Sequence, residues 1–301
     1  MGLIGTGELR LICYDIVIIY CIVLVFSRCG NHFELARDQE WRSLSSGHDR
    51  RRILHGAKRA GRAAGVAACG LADRRNMASM SIVIIGATRG IGAALADQLD
   101  QRGGGVVRIG RGITPGFDLL DEASIARAAE AAGSGLRLVI DATGFLHNDQ
   151  FKPEKSLRQI DPVQLAHSFA VNATGPALLM KYFLPLLDAN ARSVFATLSA
   201  RVGSISDNHL GGWYSYRAAK AALNQLMRTA AIELARTRKQ AICVALHPGT
   251  VDTNLSRPFT KAGLDLQTPA EAAARLLAVI GGLTSAHSGL LFDHHGAQIP
   301  F

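Results

Sequence analysis

Cysteine is scarce in the greater part of this 301-residue chain. Four of its five cysteines lie in residues 1–79, so the remaining 222 residues contain one thiol, Cys243. One thiol cannot form an internal disulfide, which excludes a secreted cystine-rich scaffold. We therefore expect a protein of a reducing compartment, the cytoplasm.

Excess positive charge is also missing from most of the chain. Residues 1–79 hold 12 of the 33 Lys and Arg but 7 of the 24 Asp and Glu, although the whole chain has a formal net charge of +9. The remainder has 21 basic and 17 acidic residues, without a polybasic stretch for a nucleic-acid backbone. We expect no nucleic-acid partner. With 48% apolar residues, the chain is too apolar to be disordered throughout.

No apolar run is long enough for an ordinary transmembrane helix. The longest, residues 11–26, has 16 residues and is interrupted by Asp15. A membrane-spanning helix needs about 20 apolar residues, and a central Asp costs about 2.5 to 3.5 kcal/mol on insertion. We therefore expect no membrane association unless residues 11–26 act as an anchor.

The first strong strand pattern comes late in the chain. Residues 28–75 are rich in Arg, Ala and Gly without helical or strand periodicity, as in a linker. Met77 and Met80 then directly precede the β-branched run SIVIIG. We predict that residues 1–79 are an extension, either disordered or a mis-assigned start, and that residues 80–301 form a single domain.

Short β-branched runs alternate with helical patterns through that domain. Strands are predicted at residues 81–85, 106–109, 138–142, 193–198, 241–246 and 290–292, and helices at residues 91–102, 121–132, 162–187, 214–236 and 269–279. Strands that alternate with helices of this length require right-handed crossovers and a parallel sheet covered on both faces. The predicted fold class is α/β, a Rossmann-type doubly wound parallel sheet of about seven strands.

A glycine-rich turn, GATRGIG, lies between the first predicted strand and helix and contains Gly86, Gly90 and Gly92. Phosphate oxygens can approach backbone N–H groups where side chains are absent, and a helix N-terminus adds about half a positive charge. The spacing differs from the commoner G-x-G-x-x-G, so a tight turn without a ligand stays an alternative. The position of the turn favours dinucleotide binding.

The second predicted strand ends in basic residues, Arg108 and Arg111. An acidic residue at this end would bind the adenosine ribose of NAD, whereas an arginine accommodates the 2′-phosphate of NADP. Arg89, inside the glycine turn, is a further guanidinium for the same phosphate. The pattern predicts NADP(H) in preference to NAD(H), the alternative being that these arginines are merely solvated.

Tyr216 and Lys220 stand four residues apart near the start of a predicted helix. This spacing places phenol and ammonium on one face, about 5 to 6 Å apart at Cβ. Because a neighbouring cation stabilises phenolate, we expect Lys220 to lower the pKa of Tyr216 from about 10 towards the range of a general acid or base. Chance pairs of this kind also decorate helix surfaces. Tyr214 would point away from the shared face and is assigned to packing.

These features and the segment HPGTVDT at residues 247–253 together resemble the short-chain dehydrogenase/reductases. The segments SARVGSI, GGWYSYRAAKAALN and HPGTVDTNLSRPF are similar to the branch of C-factor and the sniffer-type carbonyl reductases. The resemblance covers residues 80–301. It implies an NADP(H)-dependent oxidoreductase, specifically a carbonyl reductase or alcohol dehydrogenase, that acts on a small-molecule carbonyl or alcohol and forms a homodimer or homotetramer.

The resemblance also implies which residues form the site. The catalytic group would be Tyr216 as general acid/base, Lys220, Asn172 as the holder of a proton-relay water, and Ser199. The residues that would contact the cofactor are Gly86, Thr88, Arg89, Gly90, Ile91, Gly92, Arg111, Asp118, Leu119, Ala142, Thr143, Gly144, Tyr216, Lys220, Pro248, Gly249, Val251 and Thr253. The alternative for Asn172 is a buried polar residue bonded to a helix carbonyl. No metal site is expected, because the histidines lack ligand spacing.

Two positions depart from the family pattern. The family's catalytic serine, counted back from Gly203, falls on Ala200, with Ser199 and Ser204 as neighbouring hydroxyls. Losing such a donor can cost ~10² in rate, so an NADP(H)-binding signalling or scaffolding protein with weak or no turnover is the alternative function. Asp141 and Ala142 stand where the family usually has two asparagines, so the hydrogen bonds of the sheet are expected to differ there.

Overall fold

Parallel strands form the centre of the structure, a computed structural model that describes residues 82–259 and 266–301. The strands are β1 Ile82–Ile85, β2 Val106–Ile109, β3 Leu138–Asp141, β4 Ser193–Leu198, β5 Ala241–His247, β6 Thr250–Val251, β7 Leu266–Gln267, β8 Leu291–Asp293 and β9 Gln298–Ile299. Seven of them form one sheet in the order β2-β1-β3-β4-β5-β8-β9, parallel up to β8 and antiparallel between β8 and β9. The strands β6 and β7 pair separately.

Helices cover both faces of this sheet. They are α1 Gly90–Gln101, α2 Glu122–Ala132, α3 Pro162–Phe169, α4 Gly175–Phe183, α5 Tyr214–Thr237 and α6 Pro269–Gly282. Alternate strand residues face opposite sides, so one apolar core lies between the sheet and α1 and α6, and the other between the sheet and α2, α4 and α5. The expected Rossmann-type α/β fold is confirmed.

The helix predicted over residues 162–187 is interrupted in the structure. A π-helical segment, Ala170–Thr174, joins α3 to α4, and a 3₁₀ turn, Leu184–Leu186, follows α4. Pro176 lacks the N–H that an α-helix would donate to the carbonyl of Asn172, so the regular ladder cannot pass this point. The helical period of the apolar residues did not indicate this change from α-helical to π-helical hydrogen bonding.

Most other predicted elements lie within three residues of the observed ones. The strands β6, β7 and β9, each of two residues, were not predicted, because so short a run has no readable period. Residues 1–79, including the apolar run 11–26, lie outside the described residues. Within the described ranges, no helix is long and apolar enough to cross a membrane.

Candidate active site

The glycine turn is as tight as its spacing suggested. Gly86 and Gly90 have φ angles of +83° and +58°, a region that disfavours L side chains. A Cβ on Gly92 would lie 2.2 Å from the carbonyl oxygen of Gly86, and one on Gly86 would lie 2.9 Å from that of Ala142. Side chains at these two positions are therefore excluded by neighbouring backbone atoms of the protein itself.

The N-terminus of α1 follows this turn without an acidic cap. Arg89 precedes the helix and makes no capping hydrogen bond through its side chain, and the first turn of α1 contains no acidic residue. The first N–H groups of the helix are thus left to bind an anion. The half-buried Ile91 packs against the core between α1 and α6. This arrangement fits the pyrophosphate of a dinucleotide.

The segment after β5 lies beside the glycine turn. A Cβ on Gly90 would be 3.4 Å from Cγ2 of Thr253. Gly249 has a φ of +78° and lies so close to Gln267 that a Cβ would meet its Nε2 at 2.3 Å. The same Gln267 nitrogen donates to the carbonyl of Pro248 at 3.1 Å. Val251, in β6, is 3% exposed. The proximity of Gly90 and Thr253 thus places this segment beside the turn.

The arginines at the end of β2 differ in their partners. Arg108 donates to Asp97 at 2.7 Å and to Asp100 at 2.5 Å, so its guanidinium is held against α1. Arg108 is therefore already paired within the protein, which disfavours its expected role at the phosphate. Arg111 and Arg89 are exposed, and the carbonyl of Arg111 accepts a hydrogen bond from the hydroxyl of Thr88 at 3.0 Å. These two guanidinium groups stay candidates for the phosphate.

The residues expected near the adenine lie on a loop before α2. Asp118 is exposed, and its Oδ1 accepts from the N–H of Leu120 at 2.9 Å. Leu119 is buried, and its side chain fills the space beside Gly175, where a Cβ would lie 2.6 Å from Cγ of Leu119. The side chain of Asp118 is thus at the surface, whereas that of Leu119 belongs to the core.

Polar bonds hold the end of β3 against β1 and β4. The N–H of Ala142 donates to the carbonyl of Ile85 at 2.8 Å. The buried carboxylate of Asp141 accepts from the N–H and hydroxyl of Thr143 at 2.9 and 2.6 Å, and from the hydroxyl of Thr197 at 2.7 Å. Burial raises the pKa of Asp141. Asp141 thus joins two strands through its side chain.

Gly144 and Asn172 meet beyond that strand end. A Cβ on Gly144 would lie 3.7 Å from Oδ1 of Asn172. This oxygen accepts from the N–H of Phe145 at 2.9 Å, while Nδ2 donates to the carbonyl of Phe145 at 2.8 Å and to the hydroxyl of Ser168 at 3.2 Å. The side chain of Asn172 is fully buried. It therefore anchors the loop after β3, which favours the structural alternative for its amide group.

Tyr216 and Lys220 lie on the first turns of α5, as their spacing predicts. Nζ of Lys220 is 5.8 Å from the centre of the Tyr216 ring and donates to the carbonyl of Leu198 at 2.8 Å. Lys220 is 2% exposed, and its burial lowers its pKa to about 8, although Asp141 acts in the opposite direction. Lys220 thus joins α5 to the end of β4.

The pKa of Tyr216 does not follow our expectation. Burial raises the pKa of this phenol above its ordinary value. The expected lowering by Lys220 is wrong, because burial of the phenol determines the direction of the shift. At neutral pH the phenol is therefore protonated.

The serines near Ala200 are engaged within the protein. The hydroxyl of Ser199 donates to Oδ1 of Asn224 on α5 at 2.7 Å. The hydroxyl of Ser204 accepts from the N–H of Asp207 at 3.1 Å, and Ser204 is 2% exposed. Both hydroxyls thus stabilise local structure, and this geometry speaks against Ser199 as a donor to a substrate.

A buried carboxylate that sequence reasoning missed holds the start of α5. Glu154 is 2% exposed, and its side chain accepts from both the N–H and the hydroxyl of Ser215, the residue before Tyr216. The carbonyl of Glu154 accepts from the N–H of Trp213, which has a φ of +54°. Glu154 lies far from α5 in sequence and belongs to no motif, so no sequence signal pointed to it.

Comparison with known proteins identifies the family. Residues 108–279 match the family model described as enoyl-(acyl carrier protein) reductase. The C-signal protein of Myxococcus xanthus is 36% identical over 147 residues, which are 48% of this chain and 84% of the relative. A 1-hydroxy-2-glutathionyl-2-methyl-3-butene dehydrogenase of a Rhodococcus species is 31% identical over 228 residues, 71% of this chain and 96% of the relative.

Solved structures share the fold. An NADPH-bound carbonyl reductase from chicken fatty liver is 25% identical, with a TM-score of 0.65 over 73% of this chain and 93% of that one. A short-chain dehydrogenase/reductase of Burkholderia multivorans with bound NADP is 26% identical, with a TM-score of 0.62 over 74% of this chain and 100% of that one. The chain belongs to the short-chain dehydrogenase/reductases and is of the C-factor and sniffer type.

Proposed function

We propose that this oxidoreductase reduces a small-molecule carbonyl compound to the alcohol with NADPH. The observation that carries the proposal is the pairing of the half-buried Tyr216 with the buried Lys220 at the end of β4, in the same domain as a glycine turn followed by a helix N-terminus without a side-chain cap. The NADPH-bound carbonyl reductase among the structural relatives supports it. In this proposal the bound cofactor supplies the hydride, and the chain positions the reactants and supplies the proton.

Tyr216 is the general acid of the proposed reaction. A phenol whose pKa is raised by burial keeps its proton at neutral pH, so it can donate that proton to the oxygen of a carbonyl. Lys220, with a pKa of about 8, is cationic at neutral pH and stabilises the phenolate that forms. An ammonium group has three donors, so two are left after the bond to Leu198.

The preference for NADP(H) over NAD(H) is assigned to Arg111 and Arg89. Replacing Arg111 by Ala is expected to lower kcat/KM for NADPH about 10- to 100-fold, because a hydrogen bond between charged groups contributes about 1.5 to 3 kcal/mol. The value for NADH should hardly change, since NADH has no 2′-phosphate. Arg108→Ala is the matched control: its guanidinium is held by Asp97 and Asp100, so the ratio of the two cofactors should stay as in the wild type. Equal effects of both variants would contradict the assignment.

The reaction is tested by incubating the protein with NADPH and a panel of aldehydes and ketones. Saturable loss of NADPH absorbance with at least one carbonyl is the expected outcome. The ring of Trp213 contacts that of Tyr216, and the ring of Phe259 contacts that of Trp213. Trp213 and Phe259 are half-buried, which favours apolar carbonyl compounds as substrates. Binding of NADPH without oxidation by any compound of the panel would contradict the proposal.

A second candidate is an NADP(H)-binding signalling or scaffolding protein with little turnover. It is favoured by Ala200, which has no hydroxyl, and by the engagement of Ser199 and Ser204 within the protein. Both candidates require cofactor binding, so only the carbonyl panel separates them.

We further propose that the protein acts in the cytoplasm as a homodimer or homotetramer. The helix α5 has exposed apolar side chains, Leu226 at 40% and Ile232 at 50%, which helix pairing between two copies would cover. Light scattering during size-exclusion chromatography tests this, and a monomeric mass at micromolar concentration would contradict it.

A further inference from the structure

Lys220 is a buried cation that needs a counter-charge. It is 2% exposed, and its ammonium group donates to a main-chain carbonyl, that of Leu198. A buried charge is costly unless an opposite charge accompanies it. The acidic group that acts on Lys220 is Asp141, at the end of β3, which is 0% exposed.

The strand register places Asp141 on the same side of the sheet as Lys220. Asp141 pairs with Thr197 across β3 and β4, and Val139 and Phe195, two residues before each of them, pack in the core that includes Leu223 of α5. Because strand side chains alternate, Asp141 and Thr197 also face α5. The hydroxyl of Thr197 donates to Asp141, and the next residue along β4 supplies the carbonyl that binds Lys220.

The surroundings of Asp141 fit an ionised carboxylate. Its oxygens accept from the N–H and hydroxyl of Thr143 and from the hydroxyl of Thr197. An ionised carboxylate only accepts hydrogen bonds, so all three contacts suit it. Burial is the largest influence and raises the pKa of Asp141, whereas these bonds and the charge of Lys220 act for ionisation.

We propose that Asp141 is a positioning residue of the reaction: its carboxylate supplies the negative charge that holds the buried Lys220 in its cationic form beside Tyr216. The inference rests on the proposed function and assigns a role to a position where the family usually has asparagine. The counter-charge is thus a feature of this chain, and it sets the pH at which the Tyr216–Lys220 pair works.

The other groups around the pair support this assignment. Tyr216, on the helix of Lys220, is neutral at neutral pH. Ser199 and Asn224, which join β4 to α5, form a neutral hydrogen bond. Burial lowers the pKa of His247, at the end of β5, to about 4. Arg201 and His294 also lower this pKa, whereas Asp293 raises it. Asp141 and Lys220 thus act on each other as opposite charges without a direct ion pair: Asp141 accepts from Thr197, and Lys220 donates to Leu198, the next residue of β4.

The test compares the wild type with Asp141→Asn, which keeps the shape and removes the charge. The pKa of Lys220 is read from its side-chain signal by NMR of lysine-labelled protein across a pH series. We expect the variant to lower this pKa by about one to three units, since an opposite charge nearby shifts a pKa by this amount. Lysine is cationic below its pKa, so the alkaline limb of carbonyl reduction should move to lower pH by the same shift. An unchanged pKa of Lys220 would overturn the proposal.

Thr197→Val is the matched control, because it removes one hydrogen bond to Asp141 and leaves the charge. The pKa of Lys220 should then stay close to the wild-type value, whereas equal shifts in both variants would reduce Asp141 to a structural role and overturn the proposal. If Asp141→Asn does not fold, the carboxyl carbon of Asp141 is observed in the wild type at neutral pH. An ionised carboxyl group supports the proposal and a protonated one overturns it.

These signals do not depend on turnover. If the protein shows no carbonyl reductase activity but Asp141→Asn still shifts the pKa of Lys220, the proposed function is refuted. The charge pairing of Asp141 and Lys220 is then still supported. An active enzyme with an unresponsive Lys220 would refute the pairing alone.

Discussion

Replacing Tyr216 by Phe is expected to lower kcat for carbonyl reduction by about 10²- to 10⁴-fold, the usual contribution of a general acid. The variant removes one hydroxyl and keeps the ring, whose edge contact with Trp213 has a centroid distance of 6.2 Å. The helix start should also stay intact, because Glu154 bonds to Ser215 and not to Tyr216. Affinity for NADPH should therefore stay near the wild-type value, measured by fluorescence titration.

Tyr214→Phe is the matched control for this prediction. Tyr214 is half-buried on the same helix, two residues earlier, and residues two positions apart on a helix do not face each other. Its hydroxyl has no role in the proposed reaction, so turnover should persist. Persistent turnover in Tyr216→Phe as well would remove Tyr216 from the mechanism.

Replacing Gly92 by Ala is expected to abolish tight NADPH binding and to destabilise the fold. The new Cβ would lie 2.2 Å from the carbonyl oxygen of Gly86, and because both atoms belong to a constrained turn, the backbone must move. Overpacking of this kind costs about 1 to 3 kcal/mol in the free energy of unfolding. The displaced turn then no longer presents its N–H groups to a phosphate. Denaturant unfolding and NADPH titration measure the two effects.

Gly281→Ala provides the contrast. Gly281 lies in α6 with no atom within 4 Å of the position of a Cβ. Alanine should therefore stabilise the helix by about 0.5 to 1 kcal/mol and leave NADPH binding unchanged. If Gly92→Ala behaved like Gly281→Ala, the turn would not be the cofactor cradle.

The features that the sequence predicted correctly are those that depend on residues close together along the chain. Alternating β-branched runs and helical periods predicted the layered sheet, because each element buries a face with its own period. The four-residue spacing of Tyr216 and Lys220 predicted their shared face, and the glycines predicted a turn closed to side chains. These local patterns do not depend on which distant segments pack against them.

The features that sequence missed depend on contacts between distant segments. Arg108 is at the end of β2 as expected, but whether Asp97 and Asp100 of α1 reach it depends on how helix and strand pack. Likewise, the direction of the pKa shift of Tyr216 follows from its burial, which spacing does not reveal. The bond from Glu154 to Ser215 joins residues 61 positions apart.

In the proposed reaction, hydride passes from the nicotinamide to a carbonyl carbon while Tyr216 supplies the proton. The most direct measurement uses NADPH deuterated at the transferring position of C4 and mass spectrometry of the product formed from a carbonyl compound. We expect an alcohol that contains one deuterium on its carbinol carbon, formed by the wild type and about 10²- to 10⁴-fold more slowly by Tyr216→Phe. An alcohol without deuterium, or NADPH that stays unoxidised with every carbonyl offered, would contradict it.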